Sequence, residues 1–149
     1  MKMDFDYMST LMRVFIESES AHTSWQDVED AGLDLGGSDN KSQSFQKFHF
    51  HLHQMLDNEL ISNAYRRMDN LEDVGLHLYL SGEYKIDYDF PLRLTQKGYD
   101  FAAALNNREV LSKLKSELRD APFKTVFEGG QQLLTHYFTK KIDELTKEG

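Results

Sequence analysis

Residues 51–61 read His51-Leu52-His53-Gln54-Met55-Leu56-Asp57-Asn58-Glu59-Leu60-Ile61, and the fold turns on how this stretch is read. Up to Asp57 its apolar residues recur at helical spacing; after Leu60-Ile61 the period changes to two. On a wheel of ~100° per residue with Phe48 at zero, Phe45, Leu52, Met55 and Leu56 fall in an arc from about −20° to about +80°. The spacing predicts a helix over 41–58 that buries this arc. Its opposite face carries Gln43, Gln46, Lys47, Phe50, His53, Gln54 and Asp57. Phe50 is the one aromatic there, pointing away from the core of its own helix.

Upstream, Asp4 caps a predicted helix over 4–18, with Phe5, Met8, Leu11, Met12, Phe15 and Ile16 as one apolar stripe. Thr23 or Ser24 caps a short second helix that buries Trp25 and Val28 and stops at Gly32. Gly36-Gly37-Ser38-Asp39 is a turn. Downstream, a strand is predicted from Ile61 to Met68. Leu76, Leu78 and Leu80 then alternate with His77 and Tyr79, Ser81-Gly82 turns the chain, and Tyr84, Ile86, Tyr88 and Phe90 alternate with charged residues. This predicts a hairpin with one apolar face, its pairing ended by Pro91. Helices resume at Thr95. Asn106 and Glu109 form a capping pair for a segment closed by Pro122. The last helix falls within Phe123 to Leu145, and Gly129-Gly130 moves its expected start to Gln131.

Helix, short helix, turn, long helix, strand, hairpin, helix is the order of a winged helix-turn-helix. Residues 51–61 look like the HLxxLxxxGLI end of a reading helix entering its first wing strand. Leu94-Thr95-Gln96-Lys97-Gly98-Tyr99-Asp100-Phe101 resembles the LTxxGxxF step from the last wing strand into the next helix. With Met1-Lys2-Met3-Asp4-Phe5-Asp6 and Phe50-His51-Leu52, these motifs are similar to the bacterial and bacteriophage family called domain of unknown function 2513, over roughly residues 1–145. The resemblance implies a winged-helix fold and a phage or prophage setting, and no activity comes with it. Glu59 stands where that family usually has glycine, which predicts a differently shaped helix end. The expected class is α+β: a winged helix-turn-helix with a hairpin wing over 1–106, then a helical extension over 107–149.

Among 149 residues, 17 Lys+Arg stand against 25 Asp+Glu, a net charge of −8. Residues 1–40 hold 2 basic and 9 acidic side chains while 41–68 hold 4 and 2, so the acidity lies mostly outside the long helix. The expected partner is duplex DNA, with that helix in the major groove and the hairpin tip as wing. Gln43, Gln46, Lys47 and His53, with Lys41 at the helix start, are placed to reach base edges or phosphates. Arg66, Arg67 and Lys85 supply further phosphate contacts. The competing expectation is a module that binds a host or phage protein through the same face, with Phe50 as anchor, or through its acidic surface. Phe50 packing under the C-terminal helices is the bland alternative. Phe127, Leu134, Tyr137, Phe138, Ile142 and Leu145 either cover the first helix or join two copies, and a homodimer is the expected assembly.

Other chemistry finds little support. Of His49, His51 and His53 only the first and last are neighbours on a helix, and even with Asp57 beside them solvated or edge-packed side chains are expected rather than a metal site. Asp27, Glu29, Asp30 and Asp34 read as a solvated surface. No Gly-rich phosphate loop, nucleophile elbow or zinc-protease motif is present, so neither an enzyme nor a cofactor is expected. The chain has no cysteine, its start lacks an apolar signal core, and no apolar run nears ~18 residues. These point to a cytoplasmic protein away from membranes.

Overall fold

The computed structural model describes residues 1–37 and 39–147. Ser38 of the predicted glycine turn therefore lies outside the described residues, while the Asp39 N–H donates to the Gly36 carbonyl. The architecture is α+β: α1 Phe5–Ile16, α2 Trp25–Asp30, α3 Gln43–Asp57, β1 Ile61–Asn63, β2 Leu76–Leu78, β3 Tyr84–Ile86, β4 Leu92–Leu94, α4 Gln96–Leu105, α5 Arg108–Glu117 and α6 Phe123–Lys147. A 3-10 turn over Leu71–Val74 precedes β2. The chain divides into two units, Met1–Tyr99 and Asp100–Gly149, the division falling inside α4.

In the first unit the helices start where short polar side chains can cap them. Asp4 accepts from the Tyr7 N–H, and Ser24 exchanges hydrogen bonds with Asp27. Phe5, Met8, Leu11, Met12 and Phe15 of α1 are buried, as are Phe45, Phe48, Leu52 and Met55 of α3. Trp25 lies fully buried, edge-on to Phe48 at 5.1 Å, and donates its ring N–H to the Val74 carbonyl at 2.6 Å. A buried indole needs such a partner, so one side chain ties α2, α3 and the 3-10 turn together.

β4 pairs with β1 in a two-stranded antiparallel sheet and carries a one-residue bridge on its other edge. Ile61 faces Leu94 and Asn63 faces Leu92, while Thr23 and Leu92 exchange both backbone hydrogen bonds on the other edge. β2 and β3 form a separate hairpin in which Leu76 faces Ile86 and Leu78 faces Tyr84. Three expectations are corrected here. The strand predicted to Met68 stops at Asn63, whose buried side chain hydrogen-bonds the chain that follows and bends it away. The hairpin predicted over 76–80 and 84–90 pairs only over 76–78 and 84–86. Leu76, Tyr84 and Ile86 are buried but Leu78 and Leu80 are exposed, so the apolar alternation outruns the layer it packs on. Pro91 does not end pairing; its carbonyl accepts from the Ala64 N–H and β4 begins immediately after it.

The end of α3 is also corrected. Glu59 takes a left-handed backbone, φ 56°, with its N–H on the Leu56 carbonyl and the Leu60 N–H on the Met55 carbonyl. This is the turn a glycine would make, formed by a glutamate at a cost of about 1–2 kcal/mol. Glu59→Gly is therefore expected to stabilise the protein by about 0.5–1 kcal/mol, less than that strain because glycine also loses more freedom on folding. A rise of about 2 °C in thermal melting checks it, and a lower Tm would contradict it.

Thr95 then locks this end of α3 to α4. Its hydroxyl donates to the Glu59 carbonyl at 2.6 Å and accepts from the Gly98 N–H, and its own N–H donates to the Leu60 carbonyl at 3.0 Å. The threonine and glycine of the LTxxG motif thus serve one junction.

In the second unit Asn107, not Asn106, caps α5. The Asn107 side chain accepts from the Val110 N–H, whereas Asn106 donates back to the Ala102 carbonyl. α6 begins at Phe123 and runs through Gly129-Gly130 instead of starting at Gln131. A methyl on Gly129 would lie 2.8 Å from Leu118 Cδ1, and one on Gly130 only 3.4 Å from Ala104 Cβ. The two glycines let α6 approach α4 and α5 closely, and that packing outweighs their helix cost of about 1 kcal/mol each.

Candidate functional site

The candidate surface is the outer face of α3, flanked by the hairpin tip and by the loop after β1. Ser42 is the N-cap of α3, so Lys41 precedes the helix rather than lying on it. Gln43 is exposed, and Gln46 donates from its amide to the Asn40 carbonyl at 2.7 Å. The Asn40 side-chain amide in turn donates to the Gly82 carbonyl, and Phe45 stacks on Tyr84 at 3.8 Å. The hairpin is thereby held against the N-terminal end of α3.

Lys47 is not a free cation. Its ammonium lies 3.0 Å from the Asp4 carboxylate and 5.0 Å from the centre of the Tyr7 ring. Burial pushes the Asp4 carboxyl up, but the Tyr7 N–H and the Lys47 ammonium together hold it below its ordinary value.

His51, one of the histidines expected to be solvated or edge-packed, is 1% exposed. Its Nδ1 is 2.7 Å from the Lys47 carbonyl and its Nε2 accepts from the Asp4 N–H at 2.9 Å. A carbonyl only accepts and an amide N–H only donates, so the ring must be neutral with its proton on Nδ1. Burial, the largest influence, lowers the pKa of His51 below its ordinary value despite the backbone hydrogen bond and Asp4.

Phe50 is half-buried, edge-on to His51 at 5.2 Å, and lines a shallow pocket of about 360 Å³ with Met1, Gln46, His49 and His53. His49 and His53 meet through their Nε2 atoms at 2.7 Å, one donating and the other accepting. Burial and the neighbouring His53 lower the His49 pKa. Among the described residues no group of three or more His, Asp or Glu side chains is placed to hold a metal ion.

The remaining cations are dispersed. Lys41, Arg66 and Lys85 are exposed and make no ion pair among the described residues. Arg67 is 3.7 Å from Asp69, both side chains largely in water, where such a pair contributes little. The first unit holds nine basic and seventeen acidic side chains, so the whole net charge of −8 resides there.

In the second unit Phe127 packs near Phe101 and Phe123, and Leu134 and Tyr137 are half-buried. Phe138, Ile142 and Leu145 are 52%, 58% and 72% exposed, leaving the far end of α6 with a bare apolar stripe.

No family model, curated protein or solved structure matches the chain. No helix among the described residues is long and apolar enough to cross a membrane.

Several residues of this surface escape sequence reasoning. Asp4 and Tyr7, which hold Lys47, are distant in the chain, and nothing local signals the pairing. Leu78, Tyr79 and Leu80 at the hairpin tip are 46%, 55% and 110% exposed. Their position against Ser81-Gly82 was the available signal, because residues beside a tight turn have no opposite layer.

Proposed function

We propose that the first unit is a non-catalytic winged helix that docks on duplex DNA with the outer face of α3, as a regulatory protein of phage or prophage type. The observation that carries this reading is the arrangement around α3. β1 and β4 pair antiparallel, Thr23 bridges to the other edge of β4, and the hairpin inserted between β1 and β4 is held to the N-terminal end of α3 by Asn40 and Gly82. That is the disposition in which a helix enters a groove and a wing lies beside it. Lys41, Gln43, Gln46 and His53 are then the residues nearest the bases, with Arg66, Arg67 and Lys85 on phosphates. Lys47 positions α1 instead. Two copies pairing through Phe138, Ile142 and Leu145 are the assembly that suits a two-fold DNA site.

With Lys47 held by Asp4, only three or four cations remain for phosphates. The slope of log affinity against log salt is then expected near −3, so binding weakens roughly 60-fold between about 50 and about 200 mM salt. Titrating labelled duplex at several salt concentrations measures the slope, and the stoichiometry at saturation reports whether two copies bind together. No binding at the lowest salt would remove this reading.

A second reading is favoured by one observation, the exposed Leu78-Tyr79-Leu80 tip on an acidic unit. A tip of that composition fits an apolar pocket on another protein. It becomes the preferred account if DNA is not bound.

A further inference from the structure

We infer that the loop Tyr65-Arg66-Arg67 is a preformed clamp for the phosphate backbone of DNA at the C-terminal end of α3. The inference rests on the DNA reading above and adds a second anchor to it. The loop is built from beneath by Asn63, which is 2% exposed. Its amide nitrogen donates to the Arg67 carbonyl at 2.7 Å and to the Asp73 carbonyl at 2.8 Å. Its oxygen accepts from the Tyr65 N–H at 2.9 Å and the Arg67 N–H at 3.1 Å. Every one of these bonds fixes backbone, so the loop has its shape before any partner arrives.

What the loop presents is unusual for this unit. Tyr65 is 72% exposed, and Arg66 and Arg67 are consecutive exposed arginines, Arg67 3.7 Å from Asp69, on a unit whose charge balance is acidic. Arg66 also has φ 59°, a left-handed backbone in which a residue with a side chain is strained and glycine is not. A strained arginine held by a buried asparagine gives the fold nothing that glycine would not give better. Its side chain is the feature that distinguishes it.

The partner chemistry follows from placement. Met68, Asp69, Asn70 and Leu71, which continue the loop, line a cleft of about 480 Å³ together with His53 and Asp57 of α3. The loop thus adjoins the C-terminal half of the proposed reading face, while Lys41 and the hairpin tip adjoin its N-terminal end. Between these ends α3 runs fifteen residues, roughly 22 Å at ~1.5 Å per residue. The loop and Lys41 then meet phosphates near opposite ends of α3 as the helix lies in the groove. Arginine forks suit phosphate oxygens.

The test uses Arg66→Gly in the full chain, with labelled duplex DNA as the probe. Arg66→Gly is expected to raise Tm by about 2 °C while weakening DNA binding several-fold and reducing the salt slope by about one. A destabilised scaffold cannot produce that combination. Lys41→Ala, the control at the other anchor, is expected to reduce the slope equally with no rise in Tm. If the parent chain binds duplex and Arg66→Gly binds with the same affinity and slope, the clamp is wrong and the DNA reading stands. If the parent chain does not bind duplex at low salt, both fall. A Tm that drops in Arg66→Gly overturns the argument from strain.

Discussion

Gly98→Ala is expected to destabilise the protein by about 3 kcal/mol, the upper end of what overpacking a well-filled site costs. A Cβ on Gly98 would overlap the Leu60 carbonyl oxygen and lie 3.2 Å from Leu94 Cβ. Neither neighbour can yield cheaply. The Leu60 carbonyl accepts from the Thr95 N–H, the Leu60 N–H closes the end of α3, and Leu94 is paired with Ile61 in the sheet. At about 2–4 °C per kcal/mol for a chain of this size, thermal melting followed by circular dichroism should fall by roughly 6–12 °C. A Tm within about 2 °C of the parent would show that α4 does not press on α3 as described.

His51→Ala is expected to cost about 3 kcal/mol, part of it from the unpaired Asp4 N–H and part from the cavity beside Tyr7. The same residue sets a pH dependence whose sign follows from its tautomer. Protonation would place a second N–H on Nε2, facing the Asp4 N–H, so the folded state resists the proton and the unfolded chain does not. Stability from His51 is complete above its ordinary pKa of 6.5. As pH falls below that value the unfolded chain takes up the proton first, and stability declines until the folded-state pKa is passed. His49 contributes in the same direction, and Asp4 adds a loss only at lower pH, as it falls through and below the ordinary value of 3.8. Urea unfolding between about pH 7.5 and about pH 5 measures the slope. His51→Leu, which has no proton to take up, should flatten it; an unchanged slope would place the titration elsewhere.

What could be read from the sequence was whatever repeats locally. The stripes of α1 and α3 follow from apolar residues at helical spacing, and Phe45, Phe48, Leu52 and Met55 are buried as that spacing requires. The β1–β4 pairing was not legible, because three-residue strands carry too little alternation to announce a partner across an intervening hairpin. Propensity placed the start of α6 after Gly129-Gly130, but close packing against Leu118 and Ala104 prevailed. Adjacent asparagines at 106 and 107 offered two caps, and only the backbone decides between them. At the candidate surface the residue types were visible but their commitments were not. Lys47 reads as an available cation until Asp4 is seen beside it, and nothing local in the sequence shows that both ring nitrogens of His51 are taken.

The place of β4 in its sheet has a consequence for how the chain is made. Among the described residues Leu92–Leu94 is the last strand in the sequence, yet in space it stands between β1 and the bridging Thr23. Until it leaves the ribosome, β1 and Thr23 have nothing to pair with, and the Thr95 lock on α3 is missing too. The first three helices are thus synthesised well before the strand that joins them. Assembly of this unit waits on the end of its own sequence, and a chain interrupted before residue 92 displays unpaired backbone to whatever is nearby.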